Sequence, residues 1–147
     1  MSYLGNQLNL KKILTLALLL GVIHVHSEET DDIAEHYAEC TAYYTLVYHA
    51  LNNSGDTDAA TAYAKVMDDS MFYSLLLASE NREQDMAVNV TNSRIEMNIK
   101  QMKEEINNDN KNISILMNKH NFSCRDAMNN PPLELVNILK RRMEELE

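Results

Sequence analysis

Residues 32–51 read DIAEHYAECTAYYTLVYHAL. Apolar and aromatic residues recur at Ile33, Tyr37, Cys40, Tyr44, Val47 and Leu51, in steps of three and four, which places them on one helical stripe. Asp32 with Glu35 three positions on forms a capping-box pattern, and Asp31 and Asp32 suit the positive end of a helix dipole. Ala34, Ala38, Ala42 and Ala50 add helix propensity. The stretch therefore predicts the first helix of the mature chain. Its dense tyrosines, Tyr37, Tyr43, Tyr44 and Tyr48, predict packing between helices with hydroxyls reaching the surface; the sharper alternative is an aromatic ligand pocket. Cys40 is one of only two cysteines, and the other, Cys124, lies far down the chain.

Upstream, Lys11 and Lys12 precede ILTLALLLGVIHV, residues 13–25, with Val25 and Ser27 at the −3 and −1 positions of a cleavage site. A basic start, a short apolar run and small flanking residues predict a secretory signal peptide over 1–27, leaving a single helical domain over 28–147. The run is too short to span a bilayer comfortably, so no stable membrane insertion is expected after cleavage. The expected address is export: the periplasm of a Gram-negative cell, or secretion otherwise. Lys11 and Lys12 are the only charged residues before Glu28, so cleavage takes the formal charge from −9 to −11. Such an acidic chain is a poor partner for nucleic acid or anionic membranes. Two cysteines in an exported protein are most simply one disulfide, Cys40–Cys124.

Downstream, Asn52–Asp56 are turn formers, with Gly55 suited to a left-handed helix stop and Asp56 or Thr57 to the next cap. A second helix carries Ala60, Tyr63, Met67, Met71, Ser74 and Leu77, and its FYSLLL patch, residues 72–77, is expected to be the most buried part of the chain. No Gly or Pro divides 57–107. A single helix of that length would outrun the first one, which argues for a break near Asn81, with Asn81 as cap. The third helix, to about Asn107, has a seam of Val88, Asn92, Ile95, Ile99, Met102 and Ile106. The fourth, 112–128, aligns Ile113, Leu116, Met117, His120, Cys124 and Met128 before Pro131 and Pro132 stop it. A short terminal helix with Pro132 at its first position shows Leu135, Leu139, Met143 and Leu146, with Lys140–Glu144 and Arg141–Glu145 as i, i+4 pairs. The predicted fold is all-α: a small antiparallel bundle of four main helices plus a short C-terminal one, cross-linked by one disulfide.

Each cysteine has a histidine four residues earlier, His36 and His120, on the same helical face. Two such pairs are the donor set of a Cys2His2 zinc site. Oxidised sulfurs are not thiolate ligands, however. In antiparallel helices the two imidazoles would also lie on opposite sides of the cross-link, roughly 11–12 Å apart. No metal site is therefore expected, and His36 and His120 stand as the weak candidates. Met67, Met71, Met86, Met97, Met102, Met117, Met128 and Met143 fall on or beside apolar stripes and read as core filler rather than soft-metal ligands. Sequons begin at Asn52, Asn89, Asn112 and Asn121. No nucleophile elbow, phosphate-binding loop, dinucleotide fingerprint or HExxH motif is present, and three glycines leave little from which to build one. Nothing in the sequence supports an enzyme, a cofactor or a catalytic residue. The expectation is a non-enzymatic binding or interaction module whose partner is another protein. The competing reading is a periplasmic metal or haem carrier using His36, His49, His120 and methionines.

Overall fold

The computed structural model describes the backbone of residues 7–147 and the side chains of residues 28–147. The predicted signal segment, 1–27, has no described side chains. Helices α1 (Gln7–Ser54), α2 (Thr57–Ala78), α3 (Gln84–Glu105), α4 (Ile113–Asn129) and α5 (Leu133–Glu144) follow in order, with a single 3-10 turn at Asn110–Asn112 before α4. There is no strand among the described residues. The helical bundle and its one disulfide are as expected.

Two expectations for α1 are corrected. The helix does not start at Asp32; it runs unbroken from Gln7, so the Asp32/Glu35 pattern is no cap. Residues 7–31 contain no proline and only one glycine, which leaves nothing to stop a helix. Nor is there one apolar stripe. Ala34, Tyr37, Ala38, Cys40, Thr41, Ala42, Tyr43, Tyr44, Leu46 and Val47 are all buried, so they cover every face of the helix. A helix buried all round is one that others surround.

Side-chain pairings give the directions. Ser70 and Ser74 of α2 donate to the backbone carbonyls of Tyr37 and Ala34 at 2.8 and 2.7 Å, so α2 runs antiparallel to α1. These serines, with Ala34, Ala38 and Ala78, let the two backbones approach closely, and each hydroxyl finds its acceptor on the neighbouring helix. Arg94 of α3 faces Asp31 and Glu35, while Met102 and Ile106 join the core around Val47, so α3 runs parallel to α1. Tyr37 pairs with Ala127, Cys40 with Cys124 and Tyr43 with Asn121, so α4 is antiparallel. α5 stays at the end that α4 reaches, where Leu135 and Ile138 pack with Ala34, Tyr37 and Leu77.

The punctuation is partly as expected. Gly55 has φ +86°, its N–H bonds to the Asn52 carbonyl, and the Asp56 N–H bonds to the Leu51 carbonyl. That is a Schellman stop, and Asp56 then caps α2 through the Ala59 N–H. The break after α2 is present, but the residue preceding α3 is Glu83 rather than Asn81. α3 ends on the same double-bonded pattern with asparagine in glycine's place: Asn107 and Asn108 both have φ 55°. Pro132 precedes α5 rather than opening it.

Several faces are rotated from expectation. On α3 the inward residues are Ala87, Thr91, Met102 and Ile106, while Val88 and Asn92 are exposed, because Arg94 turns inward to reach α1's carboxylates. On α5, Ile138 rather than Met143 or Leu146 is buried. FYSLLL is not uniformly buried: Leu77 is, Leu75 and Leu76 are half-buried, and Phe72 is 52% exposed. The seam of Ser70, Ser74, Leu77 and Ala78, small but for the leucine, takes the inward position and leaves Phe72 outside.

Candidate functional site

The Cys40–Cys124 bridge sits in the core with both cysteines fully buried and Cα atoms 5.3 Å apart. That separation is ordinary for a disulfide. With the sulfurs oxidised, a Cys2His2 zinc site has no thiolates.

The histidines are nearer each other than expected, because a residue absent from the sequence reading joins them. Glu39 accepts from His120 Nδ1 at 3.0 Å with one carboxylate oxygen and meets His36 Nδ1 at 3.4 Å with the other. The His36–Glu39 contact follows from their i, i+3 spacing on α1. The His120 contact depends on α4 docking antiparallel, which only the folded chain provides. The antiparallel register does place each histidine one turn from the bridge, but rings reaching sideways to a shared acid are drawn inward. Bonds from His120 and then His36 hold the Glu39 carboxyl far below the usual carboxylate range, against the opposing effect of burial. Glu39 in turn raises His36 above the ordinary imidazole value. His36 Nε2 lies 3.9 Å from Cys40 Sγ. His120 is buried, and its Nε2 has no hydrogen-bond partner among the described residues. The cluster thus has charge and proton-holding groups, but its sulfur is locked in the bridge. No grouping of three or more His, Cys, Asp or Glu among the described residues is arranged to hold a metal ion. His49, the third candidate ligand of a carrier, is exposed beside Tyr48.

The tyrosines do pack between helices, but Tyr37, Tyr43 and Tyr44 are buried rather than reaching the surface, while Tyr48 is half-buried. Tyr37 donates to the Ala127 carbonyl at 2.8 Å and Tyr43 to Asn121 Oδ1 at 3.3 Å, both on α4. Burial pushes the Tyr37 and Tyr44 hydroxyls up to about 12. The methionines divide. Met102 is buried, and Met67 and Met128 lie against the core. Met71, Met86, Met97, Met117 and Met143 are exposed, so core filling does not account for them. Of the sequons, Asn52 and Asn89 are exposed, whereas Asn112 donates to the Ile106 carbonyl and Asn121 is held by Tyr43.

The open grooves among the described residues include two walled by an exposed phenylalanine. One, about 430 Å³, lies between Phe72, Leu76, Arg82, Ala87 and Arg142. Its cations are already engaged: Arg82 makes a bidentate pair with Asp31, and Arg142 faces Glu80 and Glu145. Arg141 also turns to Glu80 instead of the expected Glu145. The other, about 500 Å³, runs between α1 and α4 to the start of α5, lined by Asp32, Ile33, His36, Tyr37, Phe122, Ser123, Asp126, Ala127, Asn130 and Pro132. Phe122 is 74% exposed, as is Leu133 to nearly the same degree, directly after Pro132. No described helix is long and apolar enough to cross a membrane. No protein family, curated protein or solved structure matches the chain.

Proposed function

We propose that the protein is an exported, non-enzymatic binding module that meets another protein through the α1–α4 groove. The observation that carries this reading is the groove itself: a phenylalanine standing three-quarters in solvent, more exposed than Phe72, in one groove with Ile33 and Pro132. Exposed aromatic anchors beside a concave surface are what protein interfaces are built from. Support for export comes from the basic–apolar–small pattern of residues 11–27 and from a buried disulfide, a bond that persists in oxidising compartments. The residues of the His36–Glu39–His120 cluster hold one another, and the sulfurs beside them are tied in the bridge.

The test is a comparative pull-down from the native compartment. Wild-type protein should retain a partner that a Phe122→Asp variant of equal helicity loses. Retention of the same set by both proteins would refute the groove as the contact face. Intact mass of the exported protein should correspond to a chain beginning at Glu28; a mass including residues 1–27 would refute cleavage. Stoichiometric metal, or a Soret band in protein from that compartment, would favour the carrier reading instead.

A further inference from the structure

We propose that the occupant of the α1–α4 groove is a cationic amphipathic segment of the partner, with apolar residues against Phe122 and Ile33 and Lys or Arg side chains facing Asp32 and Asp126. The inference rests on the binding-module reading and adds the chemistry of the ligand.

The argument is one of charge and shape. Of the charged side chains lining the groove, Asp32 and Asp126 are acidic, and no Lys or Arg lines it. Both acids are exposed. Asp126 accepts from Asn130 Nδ2 at 2.8 Å with one carboxylate oxygen. Of the other titratable groups lining it, His36 turns its Nδ1 to Glu39 and the Tyr37 hydroxyl donates to the Ala127 carbonyl. Arg125, the cation next to Asp126 in sequence, lines a different surface, with Tyr44 and Tyr63. The Phe72 groove differs on this point, since its arginines are matched within the chain by Asp31, Glu80 and Glu145. An apolar floor flanked by acids, in a chain of net charge −9, draws a basic partner and disfavours an acidic one. The ordinary form of such a partner is an amphipathic helix laid into the groove, its apolar face read at i, i+3 and i+4.

The experiment uses the oxidised exported protein and two labelled synthetic helices that share one leucine stripe, one with lysine and one with glutamate on the polar face, followed by fluorescence anisotropy. The lysine helix should bind and the glutamate helix should not. Phe122→Ala should weaken binding about tenfold or more, the size of a lost aromatic anchor. The pair Asp32→Asn and Asp126→Asn should weaken binding and flatten its salt dependence. The pair Asp68→Asn and Glu147→Gln, which removes the same charge elsewhere, should do neither. All five positions are exposed, and circular dichroism confirms that each variant is folded. Equal binding of both helices, equal loss in the control pair, no binding of the lysine helix, or a self-associated dimer that Phe122→Asp dissociates would each overturn the proposal. A native partner lost on Phe72→Asp but not on Phe122→Asp would overturn this inference while leaving a binding module intact. Absence of any captured partner would instead remove the reading on which it rests.

Discussion

Replacing Cys40 and Cys124 together by alanine tests how the bundle is held. The bridge closes a separation of 84 residues. In the chain-entropy account, releasing a loop of that size costs about 4–5 kcal/mol of stability, with measured losses often smaller. Both residues are fully buried against α1 and α4, so removing two sulfurs adds a cavity cost of roughly 1 kcal/mol. The two costs come to about 5–6 kcal/mol in this account, and because measured losses run smaller a loss of about 3–5 kcal/mol is expected, a large share of the 5–15 kcal/mol typical of a domain. Urea unfolding followed by far-UV circular dichroism reads it as a lower midpoint. The m-value should rise as well, because the untied unfolded chain exposes more surface. Wild-type protein under reducing conditions should move the same way without the cavity cost. A loss below about 1 kcal/mol, or two titratable thiols in the unreduced protein, would refute the reasoning.

Glu39→Gln should act through pH. The Glu39 carboxyl is held below its ordinary 4.5, so its contribution is complete above that pH and fades as pH falls through its folded value. His36 is raised above 6.5, so its contribution is complete below that pH and fades as pH rises through its folded value. The wild-type advantage over Glu39→Gln should therefore be greatest between pH 4.5 and 6.5, and a difference that is flat from acid to alkaline pH would contradict it. Asn107→Gly should raise stability by about 0.5–1 kcal/mol, since φ is 55° there and glycine carries no Cβ penalty; a lowered melting temperature would speak against the helix stop. Ser70→Leu should cost roughly 2–3 kcal/mol in chemical unfolding, because the fully buried serine bonds the Tyr37 carbonyl at 2.8 Å and has no room for a larger side chain; Phe72→Ala, on the exposed side, should stay within about 0.5 kcal/mol.

Local signals carried much of the fold. Asn52–Asp56 stop one helix and cap the next because Gly55 takes positive φ and Asp56 accepts a free N–H, both of which follow from residue chemistry alone. Pro131 and Pro132 separate α4 from α5 for an equally local reason. The capping pattern at Asp32 does not open α1, because such a pattern permits a beginning without forcing one when the upstream residues also favour helix. The rotated face of α3 was not legible. Thr91 and Arg94 look like surface residues in sequence, and only the carboxylates of α1 opposite them make an inward arginine favourable.

By itself the sequence determined the helices, the turns between them and the two cysteines that could be joined, since each depends on neighbours within a few residues. The tertiary structure decided which faces turned inward. Small serines and alanines let α2 approach α1 and pushed Phe72 out. Antiparallel docking of α4 brought His120 to Glu39 and left Phe122 over an acid-flanked groove. These arrangements join residues 33 to 90 positions apart, from the bond between Ser70 and Tyr37 to that between Tyr37 and Ala127. Their physical basis is the competition among helix faces for one core, a competition that is settled only when all the helices pack together.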